Sequence, residues 1–293
     1  MNTRFKLISK GDIKMEFNTN QKEAIHTIDG NMVVIAAAGS GKTSVLTYRI
    51  LNMVKNYGVD PTTILAVTFS KKAKESIEQR LGKLGVANVN VETFHSLALK
   101  IITSTYGYGK YKVWTASWEK EKALKEICCD LLGLCKNKDD VPYNGILRFL
   151  GIQKTNILGS TDDLIYSDDD PYPDDRMKKI YKMYEDYKKD KSYIEFDDFL
   201  NMANQCFDKF PDILKFYQNK YLYVLSDEFQ DVSMAQSLLL KRINNKNTMI
   251  VGDPLQAIYS FRGGRSEYIM QFDQDYSDVK IVHLNTNYRC STD

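Results

Sequence analysis

Short apolar runs recur along the chain: MVVIAAA (32–38), TILAVTF (63–69), VNVETF (89–94), YLYVLSDE (221–228), TMIVGD (248–253) and KIVHL (280–284). Each is nearly continuous in apolar or β-branched residues and short enough for a strand buried on both faces. After the first run, apolar positions from Val45 to Val54 follow helical spacing instead. Strand–helix alternation of this kind predicts an α/β fold built on a parallel sheet flanked by helices. The pattern changes between about 97 and 220, a stretch rich in Lys, Tyr, Leu and Asp with few strand signals. Within it, SWEKEKALKEICCDLLGL and DRMKKIYKMYEDYKK have helical spacing, so the stretch reads as a helical insertion between the third and fourth strands. Its Tyr and Trp residues are expected to pack small helices rather than to stack on nucleic-acid bases.

Candidate chemistry sits at the carboxyl ends of two runs. The first leads into Ala38-Gly39-Ser40-Gly41-Lys42-Thr43-Ser44 and then a helix, the strand–loop–helix context of a phosphate-binding loop. Glycines at 39 and 41 let successive N–H groups point into one concavity, the helix N-terminus adds a positive dipole end, and Lys42 brings a full charge to the phosphates. Thr43 offers a hydroxyl to Mg2+. Ala36 stands where the strict loop pattern has its first glycine. The fourth run ends in Asp227 and Glu228, one carboxylate suited to hold Mg2+ and the other to orient or deprotonate a water.

Composition narrows the picture further. The 293 residues are 43% hydrophobic, with net charge +2, enough for a substantial core but no wholesale basic surface, so any nucleic-acid groove must be built locally. Charge is uneven: SKKAKESIEQRLGK is basic in balance, whereas TDDLIYSDDDPYPDD holds seven aspartates and no basic residue. The first suits a phosphate backbone or simply a solvated helix face, and the second lacks the spacing of a calcium loop. The five cysteines (128, 129, 135, 206 and 290) lack C-x-x-C spacing, and with only three histidines they are expected to be reduced thiols rather than metal ligands. No apolar run reaches the length of a membrane span, and MNTRFKLISKGDIKM has no apolar signal core, so a cytoplasmic protein without a membrane partner is expected.

Eight motifs in order now carry a resemblance: FNTNQ (17–21), AAAGSGKT (36–43), ILAVTFSKKAKESIEQR (64–80), VETFHSL (91–97), EFDDFL (195–200), LSDEFQD (225–231), VGDPLQAIYSFRGG (251–264) and LNTNYR (284–289). Their order and spacing resemble the UvrD/Rep-like superfamily 1 DNA helicases across the chain apart from the helical insertion. The resemblance implies a P-loop RecA-like parallel sheet flanked by helices, with an inserted all-helical subdomain. Its ATP-binding domain would occupy 15–100 and 201–280, the insertion 101–200, and an N-terminal extension 1–14. Residues 281–293 would begin a second RecA-like domain, making the chain the first half of a helicase.

Roles follow position by position from the resemblance. Gln21 would read adenine and Tyr288 would stack on it; Ala38 to Ser44 would cradle the nucleotide. Lys42 would hold phosphate, Thr43 and Asp227 would bind Mg2+, Glu228 would be the catalytic base, Gln256 would sense the γ-phosphate, and Arg289 would stabilise its charge. Thr68, Phe69, Thr93, Phe94, His95, Tyr259, Phe261 and Arg262 would line a single-strand groove, where aromatic faces accept bases at about 1 to 3 kcal/mol each. Phe69 and Phe94 directly follow strands, so core packing is their alternative, and a structural histidine is the alternative for His95. Departures from the family pattern are Ala37 for glycine, Ser44 for an adenine-contacting arginine, Cys290 for serine and Phe261 for tryptophan. The implied activity is an ATP-dependent 3′-to-5′ DNA helicase using ATP and Mg2+ on single-stranded DNA and single-strand/duplex junctions. The alternatives are a nucleotide-dependent DNA-binding module without motor activity, and a P-loop ATPase acting on RNA or protein.

Overall fold

The computed structural model describes residues 16–244, 246–256 and 267–288. In chain order its strands are β1 (Met32–Ala36), β2 (Ile64–Thr68), β3 (Asn90–Thr93), a two-residue pair β4 (Lys112–Val113) and β5 (Tyr193–Ile194), then β6 (Tyr223–Ser226), β7 (Thr248–Gly252) and β8 (Lys280–Leu284). The six longer strands form one sheet in the order β3-β2-β6-β7-β1-β8, and every neighbouring pair is parallel. Five of the six apolar runs extend past their strands at the carboxyl end. There the chain turns out into loops at 37–38, Phe69, Asp227–Glu228 and Asp253, or directly into a helix at Phe94. Those ends line up along one edge of the sheet, where open α/β sheets place ligands.

Continuous apolar runs are needed because both faces are covered. Successive side chains alternate between faces, so Val33, Leu65, Val67, Val224 and Ile250 enter one core, while Val34, Ile64, Ala66, Leu225, Met249 and Val251 enter the other. The second core is closed by α1 (Thr19–His26), α2 (Lys42–Tyr57) and α3 (Lys71–Lys83), through Ile25, Leu46, Ile50, Ile77 and Leu81. Full burial of one such aliphatic side chain stabilises by roughly 1.5–3 kcal/mol, so this layer fixes the frame on which the loops sit.

The other face is closed by α4 (Phe94–Tyr106) and by helices that follow the insertion. The insertion holds α5 (Ser117–Lys125), which runs into a π-helical turn to Leu131, then α6 (Tyr143–Thr155) and α7 (Asp175–Asp190); α8 (Phe196–Lys209), α9 (Pro211–Lys220) and α10 (Met234–Ile243) return to the sheet. A separate core unites Trp114, Leu124, Ile127, Phe149, Met177, Ile180 and Tyr184. Trp114 stacks on Tyr193 at 4.9 Å and on Tyr184 at 5.7 Å, so these aromatics do pack helices.

The structure differs from the expected organisation in four places. Ile101, Ile102, Phe199 and Leu200 fall inside the expected 101–200 insertion but pack in the sheet-side core. The insertion is not all-helical, because β4 and β5 pair in parallel at its base. Residues 281–284 of the expected 281–293 start of a second domain lie in β8, which runs alongside β1 from Met32↔Lys280 to Ala36↔Leu284 and buries Val282 and Leu284 in the first sheet's core. Cys129 and Cys135 form a disulfide, their Cα atoms 4.8 Å apart across the turn that ends the π-helical segment, while Cys128 and Cys206 are buried free thiols. The expected extension 1–14 and Cys290 lie outside the described residues.

Where the insertion meets the sheet-side helices, charge is buried. Asp198 on α8 takes Lys154 of α6 and Lys188 of α7, each at 2.7 Å, and Glu195 takes Lys120 at 2.7 Å and the Tyr184 hydroxyl at 3.0 Å. The acidic loop contributes to order too: Asp170 accepts the Ser167 N–H at 2.7 Å and Asp174 caps α7. Among the described residues, no helix is long and apolar enough to cross a membrane.

Candidate functional site

The loop after β1 turns on two glycines in the left-handed region, Gly39 at φ 73° and Gly41 at φ 87°, a conformation that favours glycine. Gly41 also passes close to α1: a Cβ there would lie 3.3 Å from Gln21 Nε2. Lys42 then starts α2, and no side chain caps its N-terminus, so the first N–H groups remain available to an anion.

Strand β6 delivers the facing carboxylates. Thr43 Oγ1 donates to Asp227 Oδ2 at 3.0 Å, and Lys42 Nζ lies 3.0 Å from Glu228 Oε2. Two adjacent residues serve different partners because Glu228 sits at φ 52°, ψ 44°, a left-handed turn at the strand end that is unusual for a non-glycine residue. Burial, followed by the neighbouring Glu228 charge, pushes the Asp227 carboxyl up to about 6, against the opposing pull of Thr43, the Glu228 N–H and Lys42. A hydroxyl and a carboxylate are hard oxygen donors of the kind Mg2+ takes, and a cation beside Asp227 would offset its desolvation.

Several predicted nucleotide residues converge on this loop. Gln21 is buried; its Oε1 accepts the Asn18 N–H at 3.0 Å in the capping box of α1, and its Nε2 donates to the Ser40 carbonyl at 3.0 Å. Tyr288 N–H donates to the Gly39 carbonyl at 3.0 Å, its hydroxyl accepts from Asn18 Nδ2 at 2.8 Å, and its ring is 55% exposed. Gln256 Nε2 donates to Asp253 Oδ2 at 2.5 Å. Ala38 is exposed, Ser40 is buried with its hydroxyl unpartnered, and Ser44 receives Arg80 Nη1 at 3.4 Å. Arg289 lies outside the described residues.

Two residues here escaped the sequence reading. Arg80 lies near the end of the basic helix α3, and only its placement over Ser44 marks it. Gln230, 2% exposed, donates to Glu228 Oε2 at 2.9 Å and accepts the Asp253 N–H at 3.0 Å. Its signal was a glutamine two places beyond the acidic pair.

The predicted single-strand surface divides. Phe94 is 1% exposed and packs with Leu97 and Ile101 in the sheet-side core, and Thr68 is fully buried at the end of β2, so the structure does not bring these two side chains to the surface with the others. Thr93 caps α4, accepting the Ser96 N–H at 3.1 Å. Phe69 is half-buried beyond β2. His95 is half-buried with its ring 6.4 Å from those of Phe196 and Phe199; burial lowers its pKa while Asp197 opposes the shift. Behind them the buried Glu92 takes Lys74 at 3.1 Å, Lys100, and the Ser96 hydroxyl, so Lys74 of the basic stretch is turned inward. Tyr259, Phe261 and Arg262 lie outside the described residues.

Comparison with known proteins agrees with this geometry. Residues 17–277 match the family model of the UvrD/REP helicase N-terminal domain. DNA helicase II of Rickettsia typhi is 34% identical over 281 residues, covering 93% of this chain and 42% of the relative. The ATP-dependent DNA helicases PcrA of Staphylococcus epidermidis and Staphylococcus aureus are 30% and 29% identical over 280 residues, covering 93% of this chain and 38% of each relative. Across the curated relatives with the strongest matches, the chain spans 36% to 44% of their length. The chain belongs to the UvrD/REP helicase N-terminal domain family.

Proposed function

We propose that this chain is the ATP-binding lobe of a 3′-to-5′ DNA helicase or translocase, hydrolysing ATP with Mg2+ and binding single-stranded DNA and single-strand/duplex junctions together with a second RecA-like domain. The observation that carries this reading is the meeting of Lys42, Thr43, Asp227 and Glu228 within hydrogen-bond reach at the start of α2 and the end of β6.

Phosphates would enter at the open N-terminus of α2 and draw the Lys42 ammonium away from Glu228. The carboxylate thus released is placed to orient an attacking water and take its proton. Thr43 and Asp227 would hold Mg2+, which when bound neutralises phosphate charge. Gln21 and Tyr288 would bracket adenine, with Gln21 exchanging a bond to the chain for one to the base, and Arg80 would approach the nucleotide beside Ser44. Gln256 and Arg289 would face the γ-phosphate. Phe69, Thr93 and His95, at the same carboxyl edge of the sheet, would bind the strand, and Tyr259, Phe261 and Arg262 would contact it too.

The test is ATP turnover by the chain with single-stranded DNA, with RNA and with no polymer, alongside Lys42→Ala and Glu228→Gln. Turnover stimulated by DNA over RNA, and abolished by both substitutions, is the expected result. Nucleotide binding indifferent to Lys42→Ala would sink the reading.

A further inference from the structure

Glu228 Oε2 has two partners, Lys42 Nζ at 3.0 Å and Gln230 Nε2 at 2.9 Å. In the chemistry proposed above, the first of these turns to phosphate. A carboxylate that is 37% exposed on a left-handed backbone would then be free to rotate into solvent unless the second partner holds it. We infer that Gln230 is the positioning residue that keeps Glu228 aimed during turnover and ties it to Gln256; this rests on the ATPase reading.

Three observations support the assignment. Gln230 is buried and tethered at both ends of its amide: Nε2 donates to Glu228 and, at 3.3 Å, to Asp231 Oδ2, while Oε1 accepts the Asp253 N–H at 3.0 Å. The chain of bonds continues outward, because Asp253 Oδ2 accepts from Gln256 Nε2. A rotation of the 253–256 turn is therefore felt at Glu228 through one amide. Finally, β7 is shaped around this side chain. A Cβ at Gly252 would stand 2.6 Å from Gln230 Oε1, 2.9 Å from Ile269 Cδ1 and 3.1 Å from the Gln230 backbone nitrogen, so the amide and the isoleucine would both have to shift. Glycine at 252 thus preserves the seat of the amide and of the Ile269 side chain beside it rather than a special backbone angle.

Three variants probe the relay without touching Lys42, Thr43, Asp227 or Glu228. Gln230→Leu deletes all three side-chain hydrogen bonds. Gln230→Glu keeps an acceptor for Asp253 but sets a second carboxylate against Glu228. Gly252→Ala displaces the amide sterically. Each is compared with the unsubstituted chain for kcat with saturating ATP and single-stranded DNA, for affinity toward a fluorescent ATP analogue, and for melting temperature. The expected signature is a fall in kcat of at least tenfold with nucleotide affinity within threefold, shared by Gln230→Glu and Gly252→Ala whether or not Gln230→Leu folds. Lys42→Ala should show the opposite split, losing affinity. Unchanged kcat in folded Gln230→Glu and Gly252→Ala, or parallel loss of kcat and affinity, would overturn the assignment while leaving the ATPase reading intact. Nucleotide binding by the unsubstituted chain that is indifferent to Lys42→Ala would overturn the ATPase reading, and the positioning role with it.

Discussion

Lys42 and Glu228 form an ion pair at 3.0 Å that joins the phosphate loop to the end of β6. The lysine is the more enclosed partner, with 10% of its side chain exposed against 37% for the glutamate. An enclosed ammonium that can exchange one anionic partner for another is suited to a site that takes and releases phosphate. Lys42→Ala is expected to weaken ATP binding by one to two orders of magnitude, since a charge-assisted hydrogen bond is worth about 1.5–3 kcal/mol. Titration with a fluorescent ATP analogue measures this directly.

Gly41→Ala should damage the same loop by another route. Its φ of 87° strains any residue with a Cβ, and that Cβ would press on Gln21 Nε2 at 3.3 Å. The loop would lose its shape and Gln21 its bond to the Ser40 carbonyl. A loss of about 1–3 kcal/mol of stability is expected together with reduced nucleotide affinity, read by urea denaturation and by titration. Retained affinity at reduced stability would separate the loop's conformation from its ligand.

The strands and the phosphate loop were legible in the sequence because burial on both faces forces unbroken apolar runs, and because glycine in a left-handed turn leaves a compositional trace. Adjacent Asp227 and Glu228 were legible as a pair, but not in their division of labour, which depends on one backbone angle at Glu228. The role of β8 was misassigned: a five-residue apolar run says that a strand exists, not which neighbour it pairs with. Phe94 carried a true ambiguity, and packing against Leu97 and Ile101 resolved it toward the core. Arg80 over Ser44 and the amide of Gln230 depend on distant segments meeting, which no local pattern records.

Arg49 of α2 ties α1, and so Gln21, to α2. It is 2% exposed, and its guanidinium donates to the Ala24 carbonyl at 2.6 Å and the Ile28 carbonyl at 3.0 Å; burial pulls its pKa down to about 10. Arg49→Ala would leave two buried carbonyls unpaired, each worth about 1–3 kcal/mol. A lowered urea midpoint and weaker ATP binding are expected together, although Arg49 is buried and bonds α1 only through backbone carbonyls. An unchanged midpoint would show that α1 is held by its apolar contacts alone.

Reduction of the Cys129–Cys135 disulfide opens a short loop in the insertion. Chain-entropy estimates for so small a loop give a loss of about 2 kcal/mol. A melting temperature lowered by dithiothreitol, matched by Cys135→Ser and insensitive to reductant in that variant, is the expected pattern. Alkylation and mass spectrometry of the untreated protein would report whether the bond is present before reduction.

The buried charges between α6, α7 and α8 set the acid limit of the fold. Burial alone would raise the Asp198 carboxyl, but Lys154 and Lys188 outweigh it and hold the group well below the ordinary carboxylate range; Glu195 is lowered by the same lysines with help from Lys120. Both groups are more acidic folded than unfolded, so their stabilisation is complete above the unfolded carboxylate range, near pH 4, and is lost as pH falls toward the folded values. The contribution of these two groups to the urea midpoint should therefore be flat from pH 7 to about 5 and decline below that. Asp198→Asn is expected to lose about 1.5–3 kcal/mol at pH 7, because it takes the nearest carboxylate from two buried ammonium groups and leaves them Glu185 and the more distant Glu195, and to show a shallower decline in acid. If the variant and the unsubstituted protein lose stability in parallel as pH drops, the acid sensitivity belongs elsewhere, and the lysine–carboxylate joint is not what fastens the insertion to the sheet.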